Sequence, residues 1–151
     1  MKITTIGFDI AKTVFHLFGV NELGRYAKKK QLKRAQLLGY LVQLEPCVVA
    51  MEACGGANYW ARELKALGHE VKLIAPQYVK PFVKGNKNDY NDVEAIAEAA
   101  QRPRMRFVPM KSVEQQDIQN LRRQRERIKN ARTALANQVR GLLQDCKARA
   151  V

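Results

Sequence analysis

The sequence predicts an α/β fold, a mixed β-sheet flanked by helices, followed by a long basic coiled-coil helix. Three observations predict it. Three β-type runs follow one another before residue 32. Apolar strand patterns and helical patterns then alternate up to about residue 100. Beyond Ser112 no proline occurs, and leucine or isoleucine recurs at every seventh position.

Residues 2–10 (KITTIGFDI) are apolar and β-rich, and they end on Asp9 and Ile10. Residues 14–20 (VFHLFGV) form a second such run, close enough behind to make a hairpin. Asn21, Glu22, Leu23 and Gly24 supply a turn, and residues 25–31 supply a third, strongly basic strand. Residues 32–44 show helical spacing through Leu37, Leu38, Leu41 and Leu44, and Glu45-Pro46 ends it. Residues 47–51 (CVVAM) are a buried-strand run followed directly by Glu52 and a break at Gly55-Gly56. Residues 59–67 are helical, with Gly68 as C-terminal cap. Residues 70–75 (EVKLIA) are a further strand, and residues 76–83 a short helix. Residues 84–90 (KGNKNDY) are loop chemistry, and residues 92–100 a strong helix. Phe107 and Val108 sit in a connector bracketed by Pro103 and Pro109. A hairpin triplet followed by βα units has the element order of a ribonuclease H-like fold. A flavodoxin-like sheet would want a helix between the first two strands.

The expected organisation is one domain over residues 1–110 and a helical segment over 111–151. Ser112 with Gln115 makes a capping-box start. Between Ser112 and Lys147 the single glycine is Gly141, so the helix would run about 54 Å at 1.5 Å per residue. Leu121, Ile128, Leu135 and Leu142 form a heptad seam, with Ile118 and Val139 at the companion position. Arg125 and Arg132 also fall at that companion position and weaken the pattern. The alternative is a long solvated helix packed on its own domain. A coiled coil pairing at least two chains is the favoured reading, since so long a helix would overhang a domain of about 110 residues.

Charge selects partners. The 151 residues carry 27 lysines and arginines against 14 acids, a net charge of +13. Nucleic acid is the first partner such an excess implies. Residues 101–151 hold 13 bases and 4 acids, whereas residues 45–100 hold 6 bases and 8 acids. Acids concentrated inside a basic chain suggest a place that holds cations. No apolar run approaches the length that spans a bilayer, and Asp9 and Lys12 interrupt anything resembling a signal peptide. Cys47, Cys54 and Cys146 show no paired spacing, which suits a reduced, cytoplasmic protein without disulfides or zinc. His16 and His69 are isolated and read as surface or strand residues.

The chemistry rests on carboxylates. Asp9 lies at the end of an apolar strand, where a buried unpaired charge would cost several kcal/mol unless exposed or neutralised by metal. Glu52 repeats the arrangement. If the two strands are neighbours, both acids meet at one end of the sheet. Asp89 and Asp92, three apart at a helix start, share one helix face. Taken alone they read as an N-cap and a first-turn acid. Four such carboxylates can hold two Mg²⁺ or Mn²⁺ ions about 3.5–4 Å apart, the geometry of phosphodiester cleavage. Hard oxygen donors favour Mg²⁺ over Zn²⁺.

GFDIAK (residues 7–12), MEACGG (51–56) and KNDYNDVEAIA (87–97) resemble, in order and spacing, the N-terminal domain of the DEDD insertion-sequence transposases. These are bridge-RNA-guided recombinases with a RuvC-like domain. The resemblance covers roughly residues 3–110 and the coiled-coil segment after it. It implies a RuvC-like ribonuclease H fold, with Asp9, Glu52, Asp89 and Asp92 as the catalytic and metal-binding tetrad. It further implies an oligomer that binds a structured guide RNA and DNA duplexes. Members continue into a second domain that supplies a serine nucleophile. The one serine here is Ser112, a helix cap, so no nucleophile carries over and the chain reads as a truncated piece, inactive in recombination by itself.

Basic residues expected to meet nucleic acid are Lys28, Lys29, Lys30, Lys33 and Arg34, then Lys84 and Lys87 beside the acids, then Arg122, Arg123 and Arg127 on the long helix. Lysines on a solvated edge strand are the plainer account of the first group. Tyr26 and Tyr40 stand near that patch as candidates to stack on bases, or as core, and Trp60 reads as core. A sugar-kinase or actin-like ATPase domain would place glycines after Asp9, where Ala11 and Lys12 follow instead. The remaining alternatives are a Holliday-junction-resolvase-like nuclease and a non-catalytic nucleic-acid-binding module. The second leaves four acids unexplained.

Overall fold

The computed structural model describes the backbone of residues 2–85 and 88–149, and their side chains except 145 and 147–149. The chain divides into two compact units, Met1–Met110 and Lys111–Val151. The first is a six-stranded sheet with helices on both faces. Its strands are β1 (Thr5–Asp9), β2 (Val14–Val20), β3 (Tyr26–Lys33), β4 (Val48–Glu52), β5 (Glu70–Ile74) and β6 (Phe107–Val108). They lie in the order β3-β2-β1-β4-β5-β6. β1, β4 and β5 are parallel, while β2, β3 and β6 run antiparallel to their neighbours.

Strand alternation decides what faces which layer. Ile6, Phe8, Phe15, Leu17, Val49, Met51 and Leu73 point to one side, against α1 (Leu37–Leu41) and α2 (Ala57–Ala66). There Phe8, Phe15 and Trp60 pack edge to face, with Phe15 at 5.2 Å from each of the other two rings. The other side carries Ala50 and Ile74 against α3 (Pro76–Val79) and α4 (Asp89–Ala100), and Phe18 and Val20 against Val93 and Ala97. α4 can lie close to the sheet because Ala95, Ala97 and Ala99 bring its backbone near.

Local chemistry fixes the connections. Asn21 Oδ1 accepts from the Leu23 and Arg25 amides, and Gly24 takes φ +70° to close the β2–β3 turn. α2 ends in a Schellman arrangement. Gly68, at φ +89°, donates to Lys65 O, and His69 donates to Leu64 O. His69 is buried rather than a surface residue. Its Nε2 lies 3.1 Å from Leu41 O and its Nδ1 3.3 Å from the Cys47 amide. The ring thus joins the end of α1 to the start of β4. Burial pushes the Cys47 thiol up to about 11, which keeps it unreactive.

Three sequence expectations need correction. Residues 32–44 are not one helix, because Leu32 pairs with Phe15 in the ladder and is buried there. After it comes a 3₁₀ turn, and α1 covers Leu37–Leu41 alone, anchored by buried Leu37 and Leu41. α4 begins at Asp89, three residues before the expected start, since Asn88 caps it by accepting the Tyr90 amide at 3.0 Å. Asp89 is therefore the first helical residue and not the cap. Phe107 and Val108, read as connector, pair with Ile74 and Leu73 as an edge strand.

The second unit is one helix, α5 (Val113–Arg149). The capping box at its start is present: Gln115 N donates to Ser112 Oγ at 3.2 Å and Ser112 N to Gln115 Oε1 at 3.0 Å. Leu121, Ile128, Leu135 and Leu142 are 59–71% exposed. No helix among the described residues is long and apolar enough to cross a membrane.

Candidate functional site

Asp9 closes β1 and Glu52 closes β4, two parallel neighbours in register, so the acids end side by side. Counting by twos, Asp9 shares its face with Gly7 and Glu52 shares its face with Ala50. That face is the one α4 covers. The first turn of α4 carries Asp89 and Asp92 to the same place. Three elements far apart in sequence therefore bring the four predicted carboxylates to one sheet end.

The electrostatics record the gathering. Asp9 and Glu52 are half-buried. Burial, then the charge of Asp92, pushes the Asp9 carboxyl above its ordinary value, and Asp89 adds to this. A hydrogen bond from the Ile10 amide and the nearby His16 act the other way. Burial raises Glu52 too, followed by Asp9 and then Asp92. None of the ion pairs among the described residues involves Asp9, Glu52 or Asp92. Also among the described residues, no three acidic, histidine or cysteine side chains are drawn together tightly enough to form a ready metal cage. The cluster is open, half-buried and self-repelling.

One member of this neighbourhood carries no mark in the local sequence. His16 stands opposite Asp9 across the β1–β2 ladder, and its Nδ1 lies 3.8 Å from Asp89 Oδ2. Its ring packs edge to face on Tyr90 at 5.0 Å. Only the hairpin register could have pointed to it.

The basic residues distribute less simply. Strand alternation splits the lysine run between two faces. Lys28 and Lys30 lie over the Tyr40 ring on the α1 side, at 5.7 and 4.0 Å. Lys29 lies on the α4 side among Phe18, Tyr26 and Tyr90. Lys33, at the same sheet end as the acids, is exposed. Arg34 follows it, exposed, with its guanidinium 5.1 Å from the Trp60 ring and 5.9 Å from that of Phe15, cation–π contacts that hold the group. Lys84 pairs with Glu98 at 2.9 Å, six residues beyond Asp92 and so about 9 Å along the helix. It is directed away from the acids. Lys87 lies outside the described residues. Arg122, Arg123 and Arg127 are exposed on α5.

A pH dependence follows from Asp9 and Glu52. Both take a proton more readily folded than unfolded, so their stabilising contribution is complete below the unfolded value of about 4. It is lost as pH rises through the raised folded values. In metal-free buffer Asp9→Asn should therefore melt above the wild type at neutral pH, and the gain should shrink to nothing on acidification below about pH 4. Thermal melts in chelator across that range check this. A gain that stays constant with pH would assign it to something other than charge.

Comparison with known proteins places these features. The model of the IS110-type DEDD transposases, described as transposase, matches residues 6–147. A probable family 20 transposase of Pseudomonas aeruginosa is 59% identical over 143 residues, 95% of this chain and 42% of that protein. The transposase for insertion sequence element IS1111A of Coxiella burnetii is 52% identical over 95% of this chain and 39% of its own length. The chain thus spans about two fifths of these relatives. Among solved structures, Thermus thermophilus RuvC in complex with Holliday junction substrate superposes with a TM-score of 0.51. That match has 17% identity and covers 70% of this chain and 99% of RuvC, so the fold is RuvC-like, of ribonuclease H type. This chain belongs to the DEDD transposase family of bacterial insertion sequences.

Proposed function

We propose that residues 1–110 are the metal-dependent, DNA-strand-cleaving domain of an insertion-sequence transposase, with Asp9, Glu52, Asp89 and Asp92 as its metal-binding residues. The observation that carries this is the convergence of the four carboxylates at one end of the sheet, without an ion pair to Asp9, Glu52 or Asp92 among the described residues. The donor set fits a hard divalent cation, Mg²⁺ or Mn²⁺, because every acid offers oxygen and their mutual repulsion is relieved by positive charge. A cation bound there supplies Lewis-acid polarisation of a phosphodiester.

The chain's own residues would do the rest. Asp9 and Glu52, fixed by two paired strands, set the position of the centre. Asp89 is more exposed and is steered by His16. Arg34, held against Trp60, and exposed Lys33 present cations at the same sheet end to the backbone of a DNA strand. Residues 111–151 would serve as a basic coiled-coil segment that joins at least two copies and contacts nucleic acid. The whole assembly would work in the bacterial cytoplasm, directed to DNA by a structured guide RNA. Family membership favours this reading over a junction resolvase or a non-catalytic binding module.

The test is thermal stability against metal. At a hundredfold excess over Kd, Mn²⁺ or Mg²⁺ should stabilise the wild type by about 2.7 kcal/mol. That is on the order of 10 °C for a domain of this size. Asp9→Asn and Glu52→Gln should lose most of the shift. An unchanged wild-type melting temperature across the titration would sink the assignment.

A further inference from the structure

We infer that Gly7 is a positioning residue for the carboxylate centre: its missing side chain lets α4 sit directly on β1, which brings Asp92 and Asp89 to Asp9. The inference rests on the reading of those carboxylates given above.

The geometry is specific. A Cβ built on Gly7 would overlap the Val93 carbonyl oxygen, which is helix backbone and cannot rotate away. It would also stand 2.9 Å from Ala97 N and 3.0 Å from Ala97 Cβ. Val93 directly follows Asp92 and lies one turn beyond Asp89. Gly7 lies two residues before Asp9 on the same face of β1. The closest helix–sheet approach is thus adjacent, on both elements, to the acids that must meet. Among the described residues, no other glycine of this unit meets backbone in this way. The Cβ built on Gly19 would touch side-chain atoms of Ile3, that on Gly24 the side chain of Gln101 and that on Gly56 the side chain of Ile10.

The consequence is mechanical. A side chain at position 7 must push the first turns of α4 off the sheet. Mg²⁺ demands near-ideal octahedral geometry and tolerates little change in donor positions, and octahedral oxygen sites of this kind also suit Mn²⁺. Asp9 and Glu52 stay together because the β1–β4 ladder holds them. Asp92 and Asp89 move with the helix. The expected effect is loss of metal affinity in a protein that is still folded, which is the mark of positioning.

The experiment is a Mn²⁺ titration of the whole chain, followed by the electron paramagnetic resonance signal of free Mn²⁺. It is run at a temperature where circular dichroism shows each variant folded. Gly7→Ala should weaken Mn²⁺ binding tenfold or more. Ala97→Val enlarges the opposing, fully buried contact and should weaken it in the same direction, so it decides the matter if Gly7→Ala does not fold. Leu64→Ala, a core change in the opposite layer, should lower the melting temperature and leave affinity within twofold. Wild-type affinity in folded Gly7→Ala or Ala97→Val would overturn the inference and leave the carboxylate reading standing. So would an equal loss in Leu64→Ala, which would mean general loosening. A wild type that binds no Mn²⁺ would overturn both.

Discussion

Binding of this chain to duplex DNA or structured RNA should collapse with salt, by about 10³-fold or more between 50 and 200 mM if six or more phosphates are neutralised. The basis is the net charge of +13 and its distribution. A few of the 17 lysines and arginines of residues 1–110 are already engaged in ion pairs. Lys2 pairs with Glu45, Lys72 with Glu70, and Lys84 and Arg102 both with Glu98. On α5 the acids are fewer, and among the described residues Arg122, Arg123 and Arg127 have no ion pair. Replacing those three with alanine should flatten the log–log salt slope by about 0.9 for each duplex-DNA phosphate that is no longer neutralised. Lys84→Ala should change it little, because Lys84 already serves Glu98. Arg34→Ala should weaken binding at the sheet end and flatten the slope by about 0.9 if it neutralises one duplex-DNA phosphate. Fluorescence anisotropy over a salt series measures all of these. A flat salt dependence in the wild type would exclude a phosphate-dominated interface.

What the sequence makes legible follows from how local each signal is. Asp9 and Glu52 are readable because a strand alternates by two and both acids stand where an apolar run stops. Their meeting needs one further fact, that β1 and β4 are adjacent and in register, which the structure supplies. Asp89 and Asp92 are readable as a pair, but the pattern starts their helix three residues late because the cap, Asn88, lies inside a run that looks like loop. β6 is invisible in the sequence, since two residues become a strand only by pairing with β5. Leu32 reads as helical because its spacing to later leucines is helical. The ladder to Phe15 overrides that spacing. The lysine run looks like one patch. Alternation divides it, so Lys28 and Lys30 cannot contact the same strand of nucleic acid as Lys29 without wrapping the sheet edge. His16 and Gly7 give no local signal, for one reason. Each matters through a residue distant in the chain, and only packing brings that residue near.

The change Ile128→Asp combined with Leu135→Asp should convert the chain from dimer to monomer in solution while leaving the sheet domain folded. Leu121, Ile128, Leu135 and Leu142 are 71, 68, 62 and 59% exposed on α5, and each forgoes roughly 1.5–3 kcal/mol of burial while it stays in water. Ile118, Val139 and Leu143 are exposed as well, so the apolar surface continues along the helix. Such a surface, seven residues apart over several turns, is satisfied by a second helix. Arg125 and Arg132 restrict how that helix lies. Parallel pairing in register would set each arginine beside its own copy. Antiparallel pairing offsets them and allows approach to Glu114, Asp117 and Glu126 of the other chain. Glu126 already holds Lys129 within its own helix at 3.3 Å, so a cross-chain arginine would compete for it. In a dimer the four aspartates would replace four apolar side chains of the seam, and desolvating their charges would cost more than the remaining leucines return. Sedimentation velocity at micromolar concentration should show dimer for the wild type and monomer for the double variant. The far-ultraviolet signal of the sheet domain and its Mn²⁺-dependent melting shift should persist. A conservative pair, Ile128→Leu with Leu135→Ile, should remain dimeric, which separates loss of burial from any change in the seam. A wild-type chain that sediments as a monomer would refute pairing through α5.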